Sequence, residues 1–166
     1  MSIEYIFKRR SIRKYLKKDV ETEKIELILK AGMSAPSAHN IRPWQFIVIK
    51  KRNTLDKIAE FHPHGKMLSQ SPMAIAVCGE HEKSTDFWVQ DCAAATENML
   101  LSLPALGLGG VWIGVYPNHH ENKEILDLIG IPKHITLFSI ISIGYPDEEK
   151  PPKALYEESK IHYEKW

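Results

Sequence analysis

Two cysteines in 166 residues, Cys78 and Cys92, stand outside any CxxC pair. They encode neither a disulfide framework nor a sulfur-rich zinc site. Long hydrophobic runs are also lacking. The longest, Met73 to Cys78, falls far short of the ~20 residues a bilayer-spanning helix needs. Met1 to Lys8 holds no apolar stretch of signal-peptide length. These absences predict a soluble, cytoplasmic protein with no membrane partner. There is no excess of one charge: Lys and Arg number 22, Asp and Glu 21, for a net +1. A surface built throughout to hold nucleic acid or anionic lipid is thereby excluded. The engines of hydrolysis are missing too, with no GxSxG, HExxH or P-loop. Histidine occurs in two short pairs, His62-Pro63-His64 and His119-His120. A metal site needs three or four convergent ligands with ordered partners, so no metal is expected.

What is present reads as one globular domain over residues 1–166. Hydrophobic residues make up 43% and charged residues 26%, and a chain of this length buries enough surface to fold without staples. Ile25, Ile28 and Leu29 mark one face of a helix over Glu23 to Gly32, with Gly32 as its stop. Residues 45–50 read as a strand, and Asn53 as the cap of a helix through Phe61. The run 73–79 is a buried strand. Asp86 to Leu106 is a long central helix, ended or kinked by Pro104. A strand at 111–115, a helix at 121–129 and a strand at 136–145 follow. Residues 146–166 carry three prolines and many charges, and read as an arm with Tyr163 and Trp166 to bury. The expected fold class is α+β, with helices around a mixed, mainly antiparallel sheet of four to five strands.

Three stretches carry possible chemistry. In Lys8 to Lys18, seven of eleven residues are basic. That is either a solvated face or an anion site, since Arg offers forked, charge-assisted bonds to phosphate. Ala35 to Phe46 joins a helix to a strand through Ser37, His39 and Asn40 between two prolines. Those residues close turns or bind a ligand. Gly107 to Val115 is rich in glycine but follows a helix and has Trp112 where a dinucleotide fingerprint needs glycine. The remaining reading is a backbone that approaches a flat ligand closely.

In this order the segments resemble the nitroreductase family of FMN-dependent flavoproteins. The resemblance rests on Arg9-Arg10-Ser11-Ile12-Arg13, Pro36-Ser37-Ala38-His39-Asn40 with Pro43-Trp44 and Phe46, and the small-residue helix from Asp91. Gly107-Leu108-Gly109, Trp112-Ile113-Gly114, Ile143-Gly144-Tyr145-Pro146 and the tail from Lys150 to Trp166 complete it. It implies a homodimer with FMN at the subunit interface and the arm 146–166 exchanged around the partner. It implies that Arg9, Arg10, Ser11 and Arg13 hold the FMN phosphate, ribityl chain or pyrimidine edge. Pro36, Ser37, Ala38, His39 and Asn40 reach the flavin from the other subunit. Ile113 and Gly114 lie at the ring, with the Gly114 backbone N–H at flavin N5 and no side-chain acid or base. Lys153 meets the phosphate. Arg42 replaces the family's usual glutamine, and Leu155 stands where a second basic residue is common.

The implied activity is FMN-dependent NAD(P)H oxidoreduction, a ping-pong hydride transfer to nitro-aromatics, quinones or similar small acceptors. The alternatives are a flavoenzyme of this fold with another reaction (enone reduction, reductive dehalogenation or flavin cleavage) and a non-catalytic flavin- or nucleic-acid-binding module. Phe61 to Ser71, the one candidate lid, is short. That favours an open site.

Overall fold

Four strands pair in the order β1-β2-β4-β3, every neighbouring pair antiparallel. They are β1 Trp44–Ile49, β2 Met73–Gly79, β3 Gly109–Gly114 and β4 Thr136–Gly144. The computed structural model describes residues 3–166. The expected mixed sheet is therefore antiparallel in all four strands. Among the described residues parallel pairing is confined to the isolated bridge between Ser11 and Gly110. No helix among these residues is long and apolar enough to cross a membrane.

The central strands β2 and β4 are buried on both faces, which is why β2 reads as a continuous apolar run; β4 carries Ser139 and Ser142 within its buried length. Strand periodicity divides their side chains between two cores. Met73, Ile75 and Val77 join one core, and Ala74, Ala76 and Cys78 the other. Opposite β2, the register slips between Val77 and Cys78, which pair with Ser139 and Leu137. Phe138 is the extra residue of a β-bulge. The bulge lets Phe138 and Ile141 face one core while Leu137 and Ile140 face the other.

The first core is covered by α2 (Thr22–Met33) and α4 (Trp88–Ser102), the second by α3 (Arg52–Phe61) and α5 (Lys123–Ile129). A short α1 (Glu4–Lys8) precedes them. From Asp91 to Pro104 no residue is exposed, so α4 is the central helix its small side chains predict. It ends at Ser102, and Pro104 opens a separate 3-10 turn closed by Gly107 at φ 70°.

Two expectations are corrected. Asn53 lies inside α3, which starts after Lys51 with no side-chain cap. Gly32 does not stop α2 but sits within it, where a Cβ would come 2.3 Å from Met99 Cε. Its role is the close approach of α2 to α4.

Candidate active site

Strand β3 lies at the edge of the sheet, so alternate peptide groups turn outward from β4. The N-terminal segment takes up part of that edge. Ile12 N–H donates to the Gly110 carbonyl at 3.0 Å. The Tyr15 hydroxyl, buried, donates to the Ile12 carbonyl at 2.7 Å, and burial pushes its pKa up. The basic run is therefore not a helix face: α1 stops at Lys8 and the chain crosses β3 in extended form.

This crossing leaves two hollows. One, about 680 Å³, is lined by Arg9 and Arg10, the Leu103–Pro104 corner, Gly109, Gly110 and the start of the arm. The other, about 470 Å³, is lined by Arg13, His64, Lys66 and Met67 against Val111 to Gly114. Ser11 lies between them at its bridge to Gly110. The second hollow combines two cations with an apolar wall, which suits a flat ligand carrying negative charge.

The glycines separate by function. A Cβ at Gly109 would come 2.6 Å from Ile12 Cγ1, and one at Gly110 would come 2.6 Å from the Ser142 carbonyl oxygen. Both are close-packing glycines. At Gly114 a Cβ would meet nothing within 4 Å, and φ is not positive. Neither packing nor backbone conformation within the chain asks for glycine there. The free space is the floor of the cleft, and strand alternation places the Gly114 N–H on the same outer edge as the Gly110 carbonyl. Of the glycine-rich stretch expected to approach a flat ligand, Gly114 leaves open space for one, while Gly109 and Gly110 are filled by their own chain.

The start of the arm straps the basic segment. Glu148 Oε1 accepts from the Arg13 N–H at 2.6 Å and Lys14 N–H at 3.3 Å, and meets Lys150 Nζ at 3.2 Å. The Arg13 N–H bond holds the Glu148 pKa below the usual carboxylate value. Lys150 donates to the Ser11 carbonyl, and Arg10 to the Pro151 carbonyl. Arg9 faces Glu97 at 3.7 Å. Lys153 is tied by its backbone N–H to the Phe7 carbonyl, while its side chain is exposed and outside both hollows.

The Pro36 to Asn40 loop lies apart from these hollows and lines neither. It is a strained turn, with His39, Asn40 and Arg42 at φ between 52° and 56°. Ser37 Oγ accepts the Arg42 N–H at 2.9 Å, and Asn40 Oδ1 accepts Arg42 Nε at 2.8 Å. Arg42 thus closes the loop on itself. The loop is anchored by Asp91, a buried carboxylate in the first turn of α4, which accepts the Ala38 N–H at 3.0 Å. Trp44 is core, as expected.

Two cleft residues were not read as such from the sequence: Lys66, which was passed over, and His64, which was weighed only as a metal ligand. They sit in the segment taken as a candidate lid. Arg52 donates to the Ser71 carbonyl at 2.7 Å and to the Leu68 carbonyl, and Leu68 is fully buried. The segment is therefore an anchored wall of the cleft. The basic, turn-rich string His62-Pro63-His64-Gly65-Lys66 was the available signal.

Fold and cleft together define a class: α+β proteins that set a cationic, apolar-walled cleft on the edge strand of an antiparallel sheet. The chain matches the Nitroreductase family over residues 6–64 and 62–145, and it belongs to that family. A protein of Methanothermobacter thermautotrophicus, provisionally named NADH dehydrogenase/NAD(P)H nitroreductase, is 48% identical over 99% of this chain and 87% of its own length. A crystal structure from Bacteroides thetaiotaomicron with the same provisional name superposes with a TM-score of 0.94, at 43% identity, over 99% of this chain and 97% of its own. An FMN-dependent nitroreductase of Clostridium difficile R20291 superposes at 0.92 and 34% identity, over 99% of this chain and all of its own.

Proposed function

We propose that the protein is an FMN-dependent NAD(P)H oxidoreductase acting by a ping-pong reaction on nitro-aromatics, quinones or similar small acceptors. The observation that carries this reading is Gly114, a glycine with no internal reason to be one, on a cleft floor flanked by Arg13 and Lys66. The FMN-dependent relative at 34% identity supports the choice of ligand. Bound in this cleft, FMN would supply the redox chemistry that carries hydride equivalents from NAD(P)H to the acceptor.

The chain's own residues bind and orient. Arg9, Arg10 and Ser11 hold the phosphate and ribityl chain by charge-assisted hydrogen bonds. Arg13 and Lys66 offset negative charge on the pyrimidine edge, which favours the reduced form. The Gly114 N–H donates to the ring, and Ile113 packs beside it. Val111, Trp112 and Met67 exclude water, which strengthens each of these contacts. No side-chain acid or base is required, because the cofactor is the reacting group.

The second half of the site comes from a second copy. Pro36, Ser37, Ala38, His39 and Asn40 lie outside both hollows of their own chain, at the surface or half-buried. In a homodimer they complete the partner's cleft; Lys153, tied to Phe7 of its own chain, lies beside the phosphate held by that chain's Arg9 and Arg10, and the arm beyond it reaches across.

The test uses full-length purified protein. Yellow protein that bleaches under anaerobic NADH or NADPH, and recolours with an acceptor, is the expected result. An acceptor screen then separates nitro and quinone reduction from enone reduction, dehalogenation and flavin cleavage. Colourless protein that takes up no FMN but binds oligonucleotide with steep salt dependence overturns the reading.

A further inference from the structure

We propose that His62 is a positioning residue, whose imidazole holds the Gly114 carbonyl on the outer edge of β3 and so fixes the strand end where the Gly114 N–H faces the cleft. This rests on the reading that Gly114 meets the flavin.

Glycine is the least constrained residue of a backbone, and nothing in the chain packs on the Cβ side of Gly114. The ladder with β4 also ends there, at the Gly114–Ser139 pair. Beyond it, the Val115 and Tyr116 N–H groups both turn to the bulged Phe138 carbonyl, at 3.2 and 2.9 Å. The Val115 bond holds one edge of the Gly114–Val115 peptide group, and the carbonyl on its outer edge needs a partner of its own. His62 supplies it, with Nε2 3.0 Å from the Gly114 carbonyl oxygen.

The geometry settles the proton on the ring. The His64 backbone N–H lies 3.2 Å from His62 Nδ1. A backbone N–H can only donate, so Nδ1 is unprotonated. A carbonyl can only accept, so Nε2 carries the proton. Both ring nitrogens are committed, which leaves none for a metal ion. The ring is 1% exposed, with the His119 ring 5.0 Å away and the His64 ring 6.1 Å away, both edge-on. A second proton on Nδ1 would set N–H against N–H. Burial, and after it the His119 and His64 imidazoles, hold the His62 pKa below its ordinary value, against the raising effect of the Gly114 bond. The donor is therefore neutral, in one tautomer and with one target. The pair His62-Pro63-His64 thereby acquires a role that its sequence does not announce.

The test compares wild-type protein with His62→Leu, which keeps bulk and loses the donor, and His62→Gln, which keeps an N–H near the same place. Each is titrated with FMN by fluorescence, and the bound flavin's midpoint potential is measured by dye equilibration. The expected result is FMN affinity about tenfold weaker and a shifted potential in His62→Leu, with both largely restored in His62→Gln. Equal affinity and potential in wild type and His62→Leu overturn the inference while the flavin reading stands. Loss without rescue by His62→Gln makes the role one of packing and also overturns it. Wild-type protein that takes up no FMN overturns the flavin reading and this inference with it. Nitrogen-15 histidine spectra of the wild type give an independent readout even if the leucine variant fails to fold. They are expected to show His62 protonated on Nε2 alone at pH 7, and an Nδ1-protonated ring refutes the contact.

Discussion

Arg9 faces a carboxylate in this chain, Glu97 on α4, at 3.7 Å. Burial raises the Glu97 pKa, and the Arg9 charge draws it back down. A phosphate dianion offers Arg9 a stronger, forked partner than this loose pair. Replacing Arg9 with alanine removes a charge-assisted contact, and FMN affinity is expected to fall tenfold or more, roughly the effect of ~1.5–3 kcal/mol. Unchanged affinity in a fluorescence titration takes Arg9 out of the site. His62 gives a pH signature at the same scale. Its folded pKa is below the ordinary 6.5, so below that pH the unfolded chain binds a proton the folded chain refuses. The His62 contribution is whole above about pH 6.5 and is lost as pH falls toward the folded pKa. Urea midpoints at pH 7.5 and 5 are expected to separate more for wild type than for His62→Gln. An equal separation means His62 is not held neutral. Cys78 and Cys92, free and buried with pKa values pushed up to about 12, play no part as nucleophiles.

Strand β3 shows how one element divides its glycines between packing and binding. Alanine at Gly110 drives a Cβ into the backbone oxygen of Ser142 and into Leu103 Cδ1 at 2.7 Å. A carbonyl in a central strand cannot step aside, so a loss of about 1–3 kcal/mol in urea unfolding is expected. Alanine at Gly114 meets nothing. Stability there should stay within about 0.5 kcal/mol, while FMN binding weakens because the methyl occupies the cleft floor. The two variants measured together separate the roles. If Gly114→Ala keeps full flavin affinity, the floor of the cleft is elsewhere. The central helix α4 likewise serves two ends: its small residues let the sheet and α2 come close, and Asp91 in its first turn holds the loop from Pro36 to Asn40.

The arm divides the whole molecule into an anchored part and a free part. Residues 147–153 are bonded to residues 7–14 of their own chain. From Pro151 onward every residue is exposed, among them Leu155, Tyr156, Tyr163 and a fully exposed Trp166. Large apolar side chains in an extended arm have area to bury only on another surface, and the proposed dimer provides it. Truncation after Lys153 keeps the strap on Arg10, Ser11 and Arg13. It is expected to leave the thermal unfolding of the fold intact, to shift sedimentation from dimer toward monomer and to weaken FMN binding with it. A truncated chain that remains a fully flavin-loaded dimer refutes the exchanged arm.

The amino-acid sequence by itself determined what depends on neighbours a few residues apart. The 3.6-residue stripe of α2, the unbroken apolar run of β2, the strand pattern of β4, the small-residue helix α4 and the stop at Pro104 were all legible, β2 at its observed bounds and the others displaced by one to a few residues. The basic segment and the Pro36 to Asn40 loop were legible as candidates. Tertiary structure alone decided what converges. Arg13, Lys66 and Gly114 share a cleft because β3 is the edge strand and the N-terminal segment crosses it at Gly110. Strand order and register of that kind come from packing the two cores, and no local period reports them. For the same reason Gly32 looked like a stop until Met99 lay against it. His62 looked like half of an idle pair until the fold set it against the Gly114 carbonyl.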